Sequence, residues 1–123
     1  MENENLNFRD KFKKRLYAWV LRLIGFIDKL PKDSVCGVIG KQVLRSGTSI
    51  LANFTEANSA TSRKDYINFF SYSLKSANGS EMWLALLRDT KRDALHESEW
   101  LLKELGEISN ILASSILKLK GKR

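Results

Sequence analysis

The helical period of this chain is clearest in residues 12–30, which read FKKRLYAWVLRLIGFIDKL. Large apolar side chains recur there in steps of three or four, which places them on one face of an α-helix. Pro31 follows directly and disfavours helical backbone at the residue before it, so the helix should end close to residue 29. The apolar positions of this stretch are Phe12, Leu16, Trp19, Leu23, Ile27 and Leu30.

Three further segments show the same period, and short polar links separate them. The links are residues 30–34, 58–62 and 91–98. Each link contains residues that commonly cap a following helix, namely Asp33 or Ser34, Thr61 or Ser62, and Ser98 or a neighbour. No segment alternates with the period of two that is typical of a strand. We therefore predict one domain over residues 1–123, an all-α, antiparallel up-down-up-down four-helix bundle with helices at roughly 8–29, 33–59, 62–91 and 98–119.

Composition excludes several classes of protein. The 123 residues, 43% of them hydrophobic, suit one compact domain without a second catalytic lobe. Cys36 and His96 are each the only residue of their type, which argues against a disulfide framework or an ordinary zinc site, so no metal or cofactor is expected. The first seven residues lack the order of a signal peptide, and the longest apolar stretch is too short to span a bilayer. We expect a cytoplasmic protein with no membrane segment.

The positive charge is unevenly placed along the chain. Lys and Arg number 21 against 14 Asp and Glu, a net charge of +7. The predicted topology brings the start of the first helix, the link between the second and third, and the end of the fourth to one end of the bundle. This end, called the basic end below, should attract polyanions such as nucleic acid, and the alternative is a solvated pair of chain termini. Its cations are Arg9, Lys11, Lys13, Lys14, Arg15, Arg63, Lys64, Lys118, Lys120, Lys122 and Arg123.

The second predicted helix contains an unusual polar stripe. Residues 42–57 read QVLRSGTSILANFTEA, and five polar residues of this run fall within an arc of about 80° on a helix. Arg45 and Glu56 lie about 16 Å apart along the axis, so neither can neutralise the other. We expect their partners on a neighbouring helix or subunit, with plain solvent as the alternative. The polar stripe consists of Gln42, Arg45, Ser49, Asn53 and Glu56.

The same run resembles the signature of a known family. Its pattern, Q-x-x-R-x-x-x-S-I-x-x-N-x-x-E-A, is similar to that of the bacterial 23S rRNA intervening-sequence proteins, also called four-helix bundle proteins. The likeness continues through SRKDYINFFSYSLKSANGSEMWLALL and LLKELGEISNILASSILKLK, so it covers most of the chain. Ser76, Gly79 and Met82 depart from a subgroup pattern that has two glutamates and a tyrosine there.

The resemblance implies a homo-oligomer, a ring of five bundles, with no established catalytic activity. The family is also similar to the accessory proteins of diversity-generating retroelements, which are basic pentamers that bind nucleic acid and a reverse transcriptase. Two hypotheses follow. In the first, the chain is an oligomer that binds structured RNA or DNA. Its phosphate contacts would be Lys11, Lys14, Arg15, Arg63, Lys64, Lys118, Lys120 and Lys122.

The second hypothesis is an adaptor that docks a partner enzyme, such as a reverse transcriptase, through exposed aromatic side chains. The candidates for that contact are Trp19, Phe26, Trp83 and Trp100. Enzyme classes fit the sequence less well. One histidine cannot supply a di-iron bundle, the spacing from Arg92 to His96 misses that of helical ribonucleases, and no phosphate-binding loop is present. A metal-free ribonuclease that uses His96 remains a third hypothesis.

Overall fold

The computed structural model describes the backbone of residues 2–121 and the side chains of residues 7–121. Within this part of the chain all regular structure is helical, and the predicted all-α four-helix bundle is confirmed. A 3₁₀ turn, Ala57–Ser59, extends the second helix. The helices are α1 (Glu2–Asp28), α2 (Ser34–Glu56), α3 (Arg63–Asp89) and α4 (Ser98–Leu119).

Side-chain caps fix where α2 and α3 begin. Asp33 accepts a hydrogen bond of 2.7 Å from the backbone N–H of Cys36, and Ser62 accepts one of 3.0 Å from the N–H of Asp65. Each cap satisfies an amide that has no partner within its own helix. Both residues belong to the pairs of capping candidates that the sequence offers.

Three helix ends differ from the predicted ones. α1 begins at Glu2 instead of near residue 8, because residues 2–11 contain neither Gly nor Pro to interrupt it. α2 tightens into the 3₁₀ turn before residue 59. α3 ends at Asp89, since Lys91 adopts a left-handed backbone with φ of 59°, and the N–H of Arg92 then bonds the carbonyl of Leu87 at 3.0 Å.

Contacts between helix ends establish the antiparallel order. At one end, Arg63 at the start of α3 donates a hydrogen bond to the carbonyl of Leu119 at the end of α4. At the other end, Lys29 just after α1 pairs with Glu97 just before α4 at 3.0 Å. α1 packs on α2 and α4, and α3 packs on the same two helices from the far side. The bundle therefore has the up-down-up-down topology.

The core runs along the full length of the bundle, and hydrogen bonds within it join the helices, whereas the buried hydroxyl of Ser109 has no partner among the described residues. The indole Nε1 of Trp19, which is fully buried, donates to the carbonyl of Leu101 at 3.0 Å and so joins α1 to α4. Between α2 and α3, the hydroxyls of Ser46 and Ser80 lie 2.7 Å apart, and Ser73 donates to the carbonyl of Ile50 at 2.8 Å. Small residues let these two helices approach closely, which explains how α2 is stable despite its weak helix formers.

Candidate nucleic-acid interface

Three helices place cations around one opening at the basic end. Arg9 of α1, Arg63 of α3 and Lys118 of α4 line a cavity of about 840 Å³, called the end cavity below. The guanidinium of Arg9 lies 5.3 Å from the centroid of the Tyr66 ring. Together with the contact between Arg63 and Leu119, these positions show that the cations come together across helices that are far apart in sequence.

Most of the predicted phosphate contacts are exposed. Within the described part of the chain, Lys14 is the only exposed lysine of this set that forms an ion pair. Its Nζ lies 3.2 Å from a carboxylate oxygen of Asp10 on the surface of α1. Such an exposed pair is weak and leaves the lysine open to competition by a phosphate. Lys122 lies outside the described residues. The exposed members of the set are Lys11, Lys14, Arg63, Lys64, Lys118 and Lys120.

Arg15 is placed differently from the other members. Its guanidinium holds both carboxylate oxygens of Glu104 at 2.7 Å and one oxygen of Glu107 at 2.9 Å. The hydrogen bond to Glu104 raises the pKa of Arg15, and the same bond lowers the pKa of Glu104. Arg15 therefore links α1 to α4, and two carboxylates compensate its charge. The sequence alone does not show these contacts, because the acids lie about 90 positions away from Arg15.

The opposite end of the bundle compensates much of its own charge. Besides the pair between Lys29 and Glu97, Arg92 lies 3.3 Å from Asp33. The adjacent Arg88 and Asp89 are 2.8 Å apart, and Arg88 lowers the pKa of Asp89. The surplus of positive charge is thus concentrated at the basic end, so the molecule has a strong charge asymmetry along its long axis.

The polar stripe of α2 faces away from the core of the protomer. Gln42, Arg45 and Glu56 are exposed, whereas Ser49 and Asn53 are half-buried. Ser49 donates to the carbonyl of Arg45 at 2.8 Å, and Asn53 donates to the carbonyl of Ser49 at 2.9 Å, both within α2. Among the described residues, the side chains of Arg45 and Glu56 form no hydrogen bond or ion pair. The expected partner on a neighbouring helix is therefore not found within this part of one protomer.

Two of the four aromatic candidates for docking a partner are not accessible at the surface. Trp19 and Phe26 are buried in the core, because both lie on the inner face of α1. Trp83 is half-buried against the core, and Trp100 is 39% exposed beneath the guanidinium of Arg22 at 4.2 Å. Trp100 is thus the most accessible of the four candidates for docking a partner.

The described residues include one cysteine and one histidine, Cys36 and His96. No group of three or more His, Cys, Asp and Glu there is placed to hold a metal ion. Cys36 is buried, and burial raises the pKa of its thiol, which disfavours the reactive thiolate. His96 is exposed in the link before α4, where its φ of 55° reflects a tight turn. None of the four described helices is both long and apolar enough to cross a membrane.

Several residues of the end cavity escaped the sequence reasoning. Phe8, Tyr66 and Asn110 line it beside the cations, although they belong to three different helices. No local pattern links them, since the cavity arises where the ends of α1, α3 and α4 leave space between them. The sequence predicted only the cations Arg9, Arg63 and Lys118 at this place, as members of the basic end.

Comparison with known proteins agrees with the four-helix fold. None of the curated proteins compared matches the chain. A solved crystal structure that matches it, from Bacteroides thetaiotaomicron, is of a protein of unknown function from the S23 ribosomal protein family, with a TM-score of 0.80. The two sequences are 36% identical over 88% of this chain and 96% of that one. The family model of the 23S rRNA-intervening sequence proteins matches residues 11–114. This match spans α2 with its polar stripe and most of the other three helices, so the chain belongs to the 23S rRNA-intervening sequence protein family.

Proposed function

We propose that this protein is a non-enzymatic homo-oligomer that binds nucleic acid, specifically structured RNA, through its basic end. The observation that supports this function is the charge asymmetry of the bundle. Cations of α1, α3 and α4 surround one end, whereas acids pair with several cations of the other end. The family is named for sequences that interrupt 23S ribosomal RNA, which favours RNA over DNA as the ligand.

Binding of this kind is electrostatic and independent of sequence. Each lysine or arginine that contacts a phosphate releases counterions, so the logarithm of the affinity falls linearly with the logarithm of the salt concentration. The exposed Lys11, Lys64, Lys118 and Lys120 are the proposed contacts, together with Arg63. Arg15 is not required, because Glu104 and Glu107 already compensate its charge.

Charge reversal tests the proposal. The fourfold variant Lys11→Glu, Lys64→Glu, Lys118→Glu and Lys120→Glu should bind a fluorescein-labelled RNA hairpin much more weakly in fluorescence anisotropy. The slope of log affinity against log salt should become shallower by roughly one for each contact that is lost. A matched variant reverses four exposed lysines away from the basic end and so has the same net charge. Its substitutions are at Lys32, Lys75, Lys91 and Lys103.

The matched variant should retain most of the affinity, because position and not net charge determines binding in this proposal. Equal losses in the two variants would show that only overall charge matters. Absence of binding by the wild-type protein at low salt would remove the proposal altogether.

The outer face of α2 supports the homo-oligomer. Val35 and Val38 are exposed and extend the polar stripe toward the start of α2 in steps of three and four. A second seam with this spacing, on the side away from the core, is typical of a helix that packs against another helix along its length. Val35 also keeps the apolar period of Ile39 and Val43, yet its side chain is exposed.

Five protomers is the number that the family resemblance implies. If the protomers align with their helices roughly parallel to the ring axis, their basic ends lie on one rim and their fields add. Sedimentation velocity should show a pentamer for the wild-type protein and smaller species for Val38→Glu. The control Leu117→Glu, an exposed apolar position on α4, should leave the pentamer intact. A wild-type monomer at micromolar concentration would contradict this part of the proposal.

A further inference from the structure

The end cavity has the size and lining of a small-molecule site. Its volume of about 840 Å³ falls within the range of ligand pockets in proteins, roughly 300–1,000 Å³. It opens between the start of α1, the start of α3 and the last turns of α4. Among the described residues that line it, none is acidic, so the walls suit a ligand that is apolar in one part and anionic in another.

One wall of the end cavity offers an aromatic surface. Phe8 lines the cavity and is 42% exposed, although its ring also stacks on Phe12 with the centroids 5.8 Å apart. An exposed phenylalanine at the edge of a cavity retains apolar area that a flat partner can cover. Unpaired nucleobases are the flat ligands that aromatic side chains most commonly stack on in proteins that bind RNA.

A polar group lies on the same cavity. The side chain of Asn110 is exposed there, and its amide makes no hydrogen bond within the described part of the chain. A carboxamide both donates and accepts, so it can pair with the edge of a base. A fatty acid is the other common ligand with an apolar and an anionic part, but its hydrocarbon chain cannot form a hydrogen bond with the amide of Asn110.

The cations complete the match to a nucleotide. Arg63 uses one N–H on the carbonyl of Leu119 and has other donors left. Arg9 lies over Tyr66, where its guanidinium has its charge uncompensated by any acid among the described residues. Lys118 adds a third positive charge on the same cavity. These groups can contact one phosphate while its base lies beside them, against Phe8 at the edge of the cavity.

We propose that the end cavity holds one unpaired nucleotide of the bound RNA, with its base against Phe8 and Asn110 and its phosphate among the cations. This proposal rests on the proposed function, since the basic end must first bind RNA. It adds a contact that depends on the base to binding that is otherwise electrostatic. RNA with an unpaired end or a bulge is therefore preferred over a fully paired duplex of equal charge.

The test compares two fluorescein-labelled RNA hairpins that carry the same number of phosphates. One has a single unpaired adenosine at its 3′ end, and the other has an abasic residue there. In fluorescence anisotropy, the wild-type protein should bind the adenosine hairpin about tenfold more tightly than the abasic one, as expected for one base stacked on an aromatic ring.

Phe8→Leu should abolish this tenfold preference and leave the affinity for the abasic hairpin unchanged. Leucine retains apolar packing on Phe12 and favours helix, so the variant should fold, which circular dichroism checks. Phe8→Trp restores an aromatic face and should retain the preference. The matched control Tyr17→Leu removes an exposed aromatic ring of α1 that does not line the cavity, and it too should retain the preference.

Each outcome separates the two proposals. Equal wild-type affinity for the two hairpins overturns the nucleotide site but leaves the electrostatic function intact. Failure of both hairpins to bind at low salt removes the function itself. Binding of the fluorescent fatty acid cis-parinaric acid that Phe8→Leu weakens, with no difference between the hairpins, would assign the cavity to an amphiphile and also overturn the proposal.

Discussion

At the scale of single residues, Gly47 determines how closely α1 can approach α2. A Cβ atom built at this position would lie 2.3 Å from Cδ2 of Leu23 and 3.2 Å from the ring of Trp19. Both neighbours are fully buried, so neither can move aside freely. The glycine is therefore needed for packing, because its backbone has an ordinary helical conformation.

Gly47→Ala should lower the free energy of unfolding by about 1–2 kcal/mol, because steric strain in the core outweighs the better helix propensity of alanine. Gly79→Ala is the matched control, since a Cβ there meets no atom within 4 Å and the position lies in the middle of α3. That variant should be more stable by about 0.5–1 kcal/mol. Urea unfolding of both variants checks the opposite signs, and stabilisation by Gly47→Ala would contradict the close approach.

Residue-scale predictions from the sequence succeeded where the helical period alone determines whether a side chain is buried. They failed where contacts between distant residues determine how a side chain is placed. The steps of three and four placed Phe12, Leu16 and Leu23 in the core, and all three are buried. The period does not show at which residue an apolar face of a helix extends beyond the core. Val35, in the first turn of α2, is exposed for this reason. Nor does the period show that Arg15 meets Glu104, because the two are 89 positions apart.

At the scale of elements, the link between α3 and α4 depends on Asp93. Its carboxylate accepts hydrogen bonds from the backbone N–H of Glu97 at 3.1 Å and of Ser98 at 2.8 Å, and from the hydroxyl of Ser98. The two amides lie at the start of α4, one in the residue before it and one in its first residue, where the helix dipole also favours a negative charge. The sequence suggested Ser98 or a neighbour as the cap, whereas the capping side chain lies five positions earlier.

Asp93→Ala should lower the free energy of unfolding by about 1–2 kcal/mol, because it removes the cap of α4. Asp28→Ala serves as the control at the same end of the bundle, since within the described residues Asp28 makes no side-chain hydrogen bond or ion pair. Thermal unfolding followed by circular dichroism should show a clear decrease of the midpoint only for Asp93→Ala. Equal midpoints would mean that α4 begins without this cap.

The contact between α1 and α4 should make stability depend on pH. Arg15 lowers the pKa of Glu104 in the folded state, below its ordinary value of 4.5. The ion pair with Arg15 therefore stabilises the fold fully when the pH is above the ordinary pKa of glutamate. This contribution is lost as the pH falls through the lowered pKa of Glu104.

Glu104→Gln should lower the free energy of unfolding at pH 7 by about 1 kcal/mol. Below the lowered pKa of Glu104 the difference from the wild-type protein should disappear. Glu81→Gln, at an exposed glutamate of α3 that has no ion pair among the described residues, should show no such difference. Urea unfolding at neutral and acidic pH measures these effects, and a difference that persists at low pH would contradict the assignment.

At the scale of the whole molecule, the topology of the bundle determines where the charged residues of the sequence lie and so determines the electrostatic field of the protein. Because the four helices alternate in direction, cations near residues 9–15, 63–64 and 118–120 meet at one end. This arrangement was predictable from the sequence once the number and direction of the helices were known. The end cavity was not, since its volume depends on how far apart three helix ends lie.

The polar stripe of α2 was likewise predictable from the sequence only in part. Its spacing predicted that five polar residues share one face, and the structure places that face outward. A single protomer supplies neither Arg45 nor Glu56 with a partner among the described residues, and in the proposed homo-oligomer a second copy of the chain would cover them.

Lysine footprinting is the most direct test of where RNA binds. The protein is acetylated with and without a saturating RNA hairpin, and mass spectrometry gives the modification of each lysine. The account predicts that RNA protects Lys11, Lys64, Lys118 and Lys120, while Lys32, Lys75 and Lys91 remain as reactive as in the free protein. Protection spread evenly over both groups, or confined to the second, would contradict the claim that the basic end is the binding surface.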